Sequence, residues 1–263
     1  MNILVLGAGG NAGVGMTRCL SDFKVFGSDS NPWAKKLMEV PEWKGEEYDL
    51  KIVVPSKMIL KDDHVKTFLP TKEEIDLCWD KAKCAEALGY LAPKTYWVRD
   101  TTGSGGKGAQ MCSEYLPGRN ISCEMVYYNG TLAGYFMKHR LSYSTGGVQE
   151  MVAGVGTSMV STCIDELEIL SIADRAVGKV SKKPNGIFSV DLRENEAGEP
   201  KVTEINAGRF LTASYIYYHL TTYNLPRLYV ELALGLDLTP LGEMPVGKSI
   251  IRQLDRRPWI GEL

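Results

Sequence analysis

The apolar positions change period several times along the chain, and each change marks an element. Residues 2–6 are a short apolar run without alternation, as expected of a central parallel strand buried on both faces. Glycines at 7, 9, 10 and 13 follow, then a helical stretch to about Leu20. Residues 24–28 read as a second strand that closes on Asp29, with Asn31-Pro32 marking a turn, so the chain opens as a βαβ unit. After an irregular stretch, residues 50–54 before Pro55 form a third strand. Thr71 and Glu74 make a capping box that opens a helix running to about Leu88, with Gly89 as its stop. Its apolar stripe is Ile75, Cys78, Ala82, Ala85 and Leu88.

Residues 94–98 read as extended. Strands at 122–128 and 131–138 are joined by Asn129-Gly130, the strongest two-residue hairpin signal. Residues 165–168 cap a helix whose Ile169, Ile172, Ala173, Ala176, Val177 and Val180 keep a period of 3.6. Strands at 186–192 and 201–206 come next, then a helix from Pro226 to about Leu234 and a mixed tail from 236 onward. There are no repeats and no low-complexity segments.

Composition narrows the class. The chain has 263 residues, 44% of them hydrophobic, which suits a packed core and excludes global disorder. Lys and Arg number 30 against 32 Asp and Glu, a balance that argues against a sequence-independent grip on nucleic acid. No apolar run approaches the roughly 18 to 20 residues that span a bilayer, and Met1 leads straight into a strand, so neither membrane nor signal peptide is expected. Six cysteines without a C-x-x-C and three scattered histidines exclude a zinc or disulfide framework and point to reduced thiols in the cytoplasm.

The informative residue is glycine, 27 in all and clustered. Gly7, Gly9 and Gly10 follow a strand and precede a helix, with Asp29 about 20 residues on, which approximates a dinucleotide fingerprint. Many α/β domains place glycines at this turn for close packing alone, and no dehydrogenase catalytic pair follows. The second cluster, residues 101–108, is not a Walker A loop, because Gly108 stands where Ser or Thr must follow Lys107. A loop containing Ser104, Gly105, Gly106 and Lys107 can still fold over a triphosphate, backbone N–H groups and the ammonium facing the phosphates; its plainer reading is a surface loop. Downstream, Asp191 closes one strand, and Glu204 and Asn206 share a face of the next by alternation. With Ala197-Gly198 as the turn centre, hairpin counting sets residue 191 opposite residue 204. Hard oxygen donors so grouped suit Mg²⁺ or Mn²⁺; otherwise they form a solvated hairpin rim.

The order of these pieces resembles the ATP-grasp superfamily, closest to the carbamoyl-phosphate-synthase large-chain-like carboxylate–amine ligases. The matching pieces are residues 3–10, the stretch from Leu69-Pro70-Thr71 to Asp80-Lys81, Ala92-Pro93-Lys94-Thr95-Tyr96, the Gly-Ser-Gly-Gly-Lys-Gly loop, Glu114-Tyr115-Leu116-Pro117-Gly118, and Glu204-Ile205-Asn206. The resemblance implies an α/β (α+β) fold. A Rossmann-like pre-ATP-grasp domain (1–70) precedes an ATP-grasp domain with antiparallel sheets (71–235, its lid at about 92–118 shortened), and a C-terminal segment (236–263) packs on the core. Residues 7–13 and Asp29 become candidate substrate contacts. Lys81 approaches ATP phosphate, Lys107 sits in the lid with Ser104, Gly105 and Gly106, and Glu114 is the hinge at the adenine, with Tyr115 and Leu116 alongside. Asp191 and Glu204 hold the magnesium ions, Glu204 bridging and Asn206 completing a shell. Lys138 and Arg140 serve phosphate and acceptor, and Arg209 meets a substrate carboxylate.

The implied activity is an ATP- and Mg²⁺-dependent ligase that joins a small-molecule carboxylate to an amine or ammonia through an acyl phosphate; the alternative is a non-catalytic nucleotide- or metabolite-binding protein of the same fold. Homo-oligomerisation is left open. The chain departs from the family in its lid, which lacks some tens of residues near Arg99 and Asp100 and a helix-sized piece between Gln110 and Glu114. Either the protein is pared down or the sequence omits segments of a mobile lid. The second reading is preferred because the gaps fall where such lids move, and an intact mass of 29.1 kDa would defeat it. Asn120 also replaces the acidic residue that often contacts ribose.

Overall fold

The computed structural model describes residues 1–98, 110–143, 158–252 and 258–262, and its class is mixed α/β as predicted. β1 (Asn2–Leu6), β2 (Lys24–Ser28) and β3 (Leu50–Val53) form a parallel sheet in the order β2-β1-β3. Ile3, Leu4 and Val5 are buried, as a strand covered on both faces requires. α1 (Asn11–Cys19) follows the glycine turn, α2 (Pro32–Lys35) follows β2, and α3 (Ser56–Ile59) follows β3.

The N-terminal glycines pack the chain against itself. A Cβ on Gly9 would lie 1.9 Å from the carbonyl oxygen of Ala34, so the α2 backbone fills the approach that a dinucleotide pyrophosphate needs. The Gly9 N–H donates to Asp29 Oδ2 at 3.1 Å, tying that carboxylate to its own loop. Gly9→Ala is therefore expected to destabilise the protein by about 1 to 3 kcal/mol, read as a lower urea midpoint. An unchanged midpoint would show that the turn has room to spare.

The single helix predicted from Thr71 to Leu88 is two: α4 (Lys72–Trp79) and α5 (Lys81–Leu88). The capping box is present, with Glu74 N–H on Thr71 Oγ1 and Thr71 N–H on Glu74 Oε2. The break falls at Asp80, whose extended backbone (ψ 97°) ends α4 while its carboxylate accepts from the N–H groups of Ala82 and Lys83. A second N-cap thus hides inside a continuous apolar stripe, and it sets Lys81 at the start of α5. β4 (Thr95–Val98) and β5 (Gln110–Ser113) form a separate antiparallel ribbon. The loop between them, with the predicted Ser104, Gly105, Gly106 and Lys107, lies outside the described residues.

The rest is a seven-stranded sheet in the order β10-β9-β6-β7-β8-β11-β12. β6 (Asn120–Tyr128) and β7 (Thr131–Tyr143) meet at the predicted Asn129-Gly130 turn, both residues at positive φ. β8 (Ser158–Ile164), β9 (Gly186–Glu194) and β10 (Pro200–Ala207) follow. The tail, read as mixed, adds β11 (Ser249–Ile251) and β12 (Trp259–Gly261). One sheet face presents Ile121, Cys123, Met125, Met137, Val190, Leu192 and Ile205 to α4, α5 and α6 (Leu167–Val180), and the predicted stripe of α6 is buried there. The predicted cap differs, since Glu166 makes no side-chain cap bond and Asp165 accepts from Tyr135 OH instead.

α7 (Ser214–Leu220) and α8 (Leu225–Leu234) cover part of the opposite face, where Phe136 packs its ring against Tyr217 and Tyr218. α7 was not predicted: Ser214, Tyr215, Ile216, Tyr217 and Tyr218 are all buried, so it carries no amphipathic stripe. The part of this face that the helices leave open is polar.

Candidate functional site

Strand alternation, summed over four neighbouring strands, builds the open face. One cross-strand row runs Glu204, Asp191, Ser122, Lys138 across β10, β9, β6 and β7. The row beside it carries Arg193, Asn120 and Arg140, and the row on the other side Asn206, Ser189, Glu124 and Phe136. Along the first row the two carboxylates stand at the β10 end and the Lys138 ammonium at the β7 end.

The pairing of Glu204 with Asp191 is as predicted, but its physical origin is different. Near the turn the register is Pro200 with Glu194, Lys201 with Arg193 and Val202 with Leu192; a bulge at Thr203 then shifts it by one. Without that extra residue Glu204 would stand opposite Val190, a core residue of the helix-covered face. The bulge is held by Thr203 Oγ1, which donates to the Asp191 carbonyl at 3.1 Å.

This face opens into a cleft of about 600 Å³. The predicted nucleotide, metal and acceptor residues that are described line it: Lys81 from α5, Glu114, Tyr115 and Leu116 from the segment after β5, Lys138 and Arg140 from β7, Asp191 from β9, Glu204 and Asn206 from β10, and Arg209 beyond it, whereas residues 7–13 and Asp29, expected as substrate contacts, are not among its lining. Leu116 is buried and Tyr115 exposed. The Glu114 carboxylate accepts from the Lys94 N–H at 3.1 Å, and its own N–H donates to the Lys94 carbonyl, which locks the two strands leading to the ribbon.

Each oxygen donor stands beside a cation. Lys81 Nζ is 3.8 Å from Glu204 Oε2. Arg209 Nε donates to Asn206 Oδ1 at 3.0 Å. Arg140 Nε donates to Asn120 Oδ1 at 3.0 Å, and Arg140 Nη2 lies 2.9 Å from Asp191 Oδ1 in a largely buried charge pair. Lys138 is held deeper: it donates to Ser214 Oγ, and its ammonium is 3.8 Å from Glu124 Oε2, both side chains 1% exposed. Burial pushes the Lys138 ammonium down to about 8 against the pull of Glu124, and burial raises the Glu124 carboxyl. Cations outnumber carboxylates along the described lining, a field that favours an anionic ligand.

The donor chemistry suits a small hard cation. Among the described residues no group of three or more His, Cys, Asp or Glu is arranged to hold a metal. Two carboxylates and one amide oxygen remain, Glu204, Asp191 and Asn206 on neighbouring rows of one face, a set of hard oxygen donors that Mg²⁺ would complete with phosphate and water. Sequence reasoning missed Arg193, Glu124 and the 210–213 loop, and it read Asn120 only as a replaced ribose contact. Arg193 was findable, since it stands two residues after Asp191 on the same strand and so shares its face. Glu124 was signalled by being a lone charge in an apolar strand. The loop carried no signal.

The parallel unit and the antiparallel sheet give a fold shared with solved ATP-grasp structures. A protein from Archaeoglobus fulgidus assigned to the ATP-grasp superfamily aligns over 100% of this chain and 99% of its own, at 14% identity and a TM-score of 0.67. An L-amino acid ligase from Bacillus licheniformis aligns over 95% of this chain and 78% of its own, at 13% identity and a TM-score of 0.65. An N5-carboxyaminoimidazole synthetase from Staphylococcus aureus, solved in complex with ADP, aligns over 96% and 82%, at 13% identity and a TM-score of 0.68. At such identities the likeness is one of fold. No family model matches the sequence, and no curated protein matches it. Among the described residues no helix is long and apolar enough to cross a membrane, and the six cysteines are free thiols.

Proposed function

We propose that the protein is an ATP- and Mg²⁺-dependent ligase that joins a small-molecule carboxylate to an amine or ammonia. The observation that carries this reading is the Glu204–Asp191 pairing, with Asn206 one row away, in the same cleft as Lys81, Lys138, Arg140 and Arg209. ATP supplies the phosphoryl group that turns the carboxylate into an acyl phosphate, which the amine captures with loss of phosphate. The chain's own part is positioning and charge neutralisation, and no enzyme nucleophile is required.

In this reading Glu204, Asp191 and Asn206 hold the cation, and Lys81, Lys138, Arg140 and Arg193 face the phosphate oxygens. Glu114 fixes the hinge beneath the base, beside the apolar surface of Leu116. Arg209 is tied to Asn206 Oδ1; a cation on that oxygen would turn its guanidinium toward an incoming carboxylate. The ligases and the ADP complex among the structural neighbours support the choice of reaction class and of nucleotide. The carbamoyl-phosphate-synthase-like subclass, the domain limits at 70 and 235 and the roles of Ser104, Gly105, Gly106 and Lys107 in the lid belong to the same proposal.

A second reading, a binding protein without turnover, rests on the length of the lid in the sequence, about residues 92–118. Phosphate release from ATP and Mg²⁺ across a panel of amino acids and small carboxylates, with ammonium or a primary amine present, separates the two. Release that depends on one carboxylate is the expected result. A flat response with ATP still bound would favour the binding protein.

A further inference from the structure

Behind the oxygen donors lies a second cavity, of about 430 Å³, that shares Lys81, Glu204, Asn206 and Arg209 with the main cleft. The two spaces meet across those four side chains. Its remaining walls are apolar: Ile59 at the end of α3, Ile75, Cys78 and Trp79 along one side of α4, and Ile205 and Ala207 of β10. Ile59, Ile75, Cys78 and Ile205 are buried, whereas Trp79 leaves half of its surface exposed, at 50%.

Such a cavity selects by its two ends. Arg209 and Lys81 line the side shared with the main cleft, and the far walls carry no charged side chain, only the Trp79 indole N–H and the Cys78 thiol as polar groups. A charged substituent placed there would lose its water without a counter-charge, whereas an apolar one would bury itself against the exposed ring of Trp79. The volume admits a molecule of about amino-acid to small-metabolite size. A carboxylate on Arg209 would lie beside Glu204 and Asn206, within reach of a phosphate held in the main cleft.

We propose that this cavity is the acceptor subsite and that it takes a carboxylate bearing an apolar aliphatic or aromatic substituent; the assignment rests on the ligase reading above. The break between α4 and α5 at Asp80 is part of the device, because it turns the chain so that Trp79 borders the apolar end and Lys81 the charged end.

The test is phosphate release with ATP, Mg²⁺ and ammonium, comparing acetate, serine and aspartate with leucine, phenylalanine, 4-methylpentanoate and 3-phenylpropanoate. The apolar carboxylates are expected to exceed the polar ones in kcat/KM by about tenfold or more. Trp79→Ala is expected to raise KM for them by about tenfold, with kcat and the KM for ATP within about twofold of wild type, and Trp79→Phe is expected to restore most of the loss. Equal or better use of the polar carboxylates, or a Trp79→Ala effect that falls equally on all of them, overturns the assignment while leaving the ligase reading in place. Absence of release with every carboxylate, alongside ATP binding, overturns the ligase reading and this assignment with it.

Discussion

Glu204→Ala is expected to lower ATP turnover by about a thousandfold or more while leaving the protein folded. The side chain sits on the edge strand β10 with 35% of its surface exposed, and its ion pair with Lys81, itself 61% exposed, spans 3.8 Å. Exposed pairs of that kind contribute about 0 to 1 kcal/mol, so the melting temperature should stay within a few degrees of wild type. Activity is different, because in the proposed reading Glu204 is one of two carboxylates that hold the cation, and its removal would leave the transferring phosphate without the cation's charge. Glu204→Gln keeps the shape and loses the charge, and should be nearly as inactive. Steady-state phosphate release measures both variants, and undiminished turnover in either sinks the metal assignment.

The largest stability effect is expected from Glu124→Ala, a loss of about 3 to 5 kcal/mol. Glu124 Oε1 accepts from the Leu211 N–H at 2.7 Å and Oε2 from Tyr218 OH at 3.1 Å, with the Lys138 ammonium beside it. Truncation leaves that buried cation without its counter-charge and two donors without an acceptor. It also releases the loop that follows Arg209, since Leu211 and its neighbours line the cleft. The double variant Glu124→Leu with Lys138→Met removes both charges and is expected to regain much of the lost stability without regaining activity. Urea unfolding reads both. A loss under about 1 kcal/mol for Glu124→Ala would mean that water reaches the pair and that the anchoring role is misassigned.

Much of the site was legible because its pieces repeat with the period of the strands that carry them. Glu204 with Asn206 follows from alternation, and the same rule carries Asp191 to Arg193, whereas the pairing of Glu204 with Asp191 needs the bulge at Thr203. Where local reading failed, a residue served an element defined elsewhere. Asp80 interrupts an apolar stripe that is continuous in sequence, because its carboxylate caps α5 as α4 ends. α7 is invisible to periodicity because it is enclosed by the N-terminal unit and the sheet. The glycines at 7, 9 and 10 match a cofactor pattern, and the proximity of Ala34, brought in by α2, decides against it.

The sequence by itself determined the opening βαβ unit, the hairpin at Asn129-Gly130, the buried face of α6, the strand pair that carries Asp191 and Glu204, and the residue types available for an anion and a hard cation. Those features depend on neighbours within a turn or two, so a short window contains their causes. Tertiary structure decided which rows the charged residues share, through a bulge at Thr203 that keeps Glu204 off the helix-covered face. It also decided that Lys138 is buried against Glu124 and that an apolar chamber adjoins the cleft. Each of these depends on desolvation and packing between segments far apart in the chain, and those energies exist only once the sheet has closed.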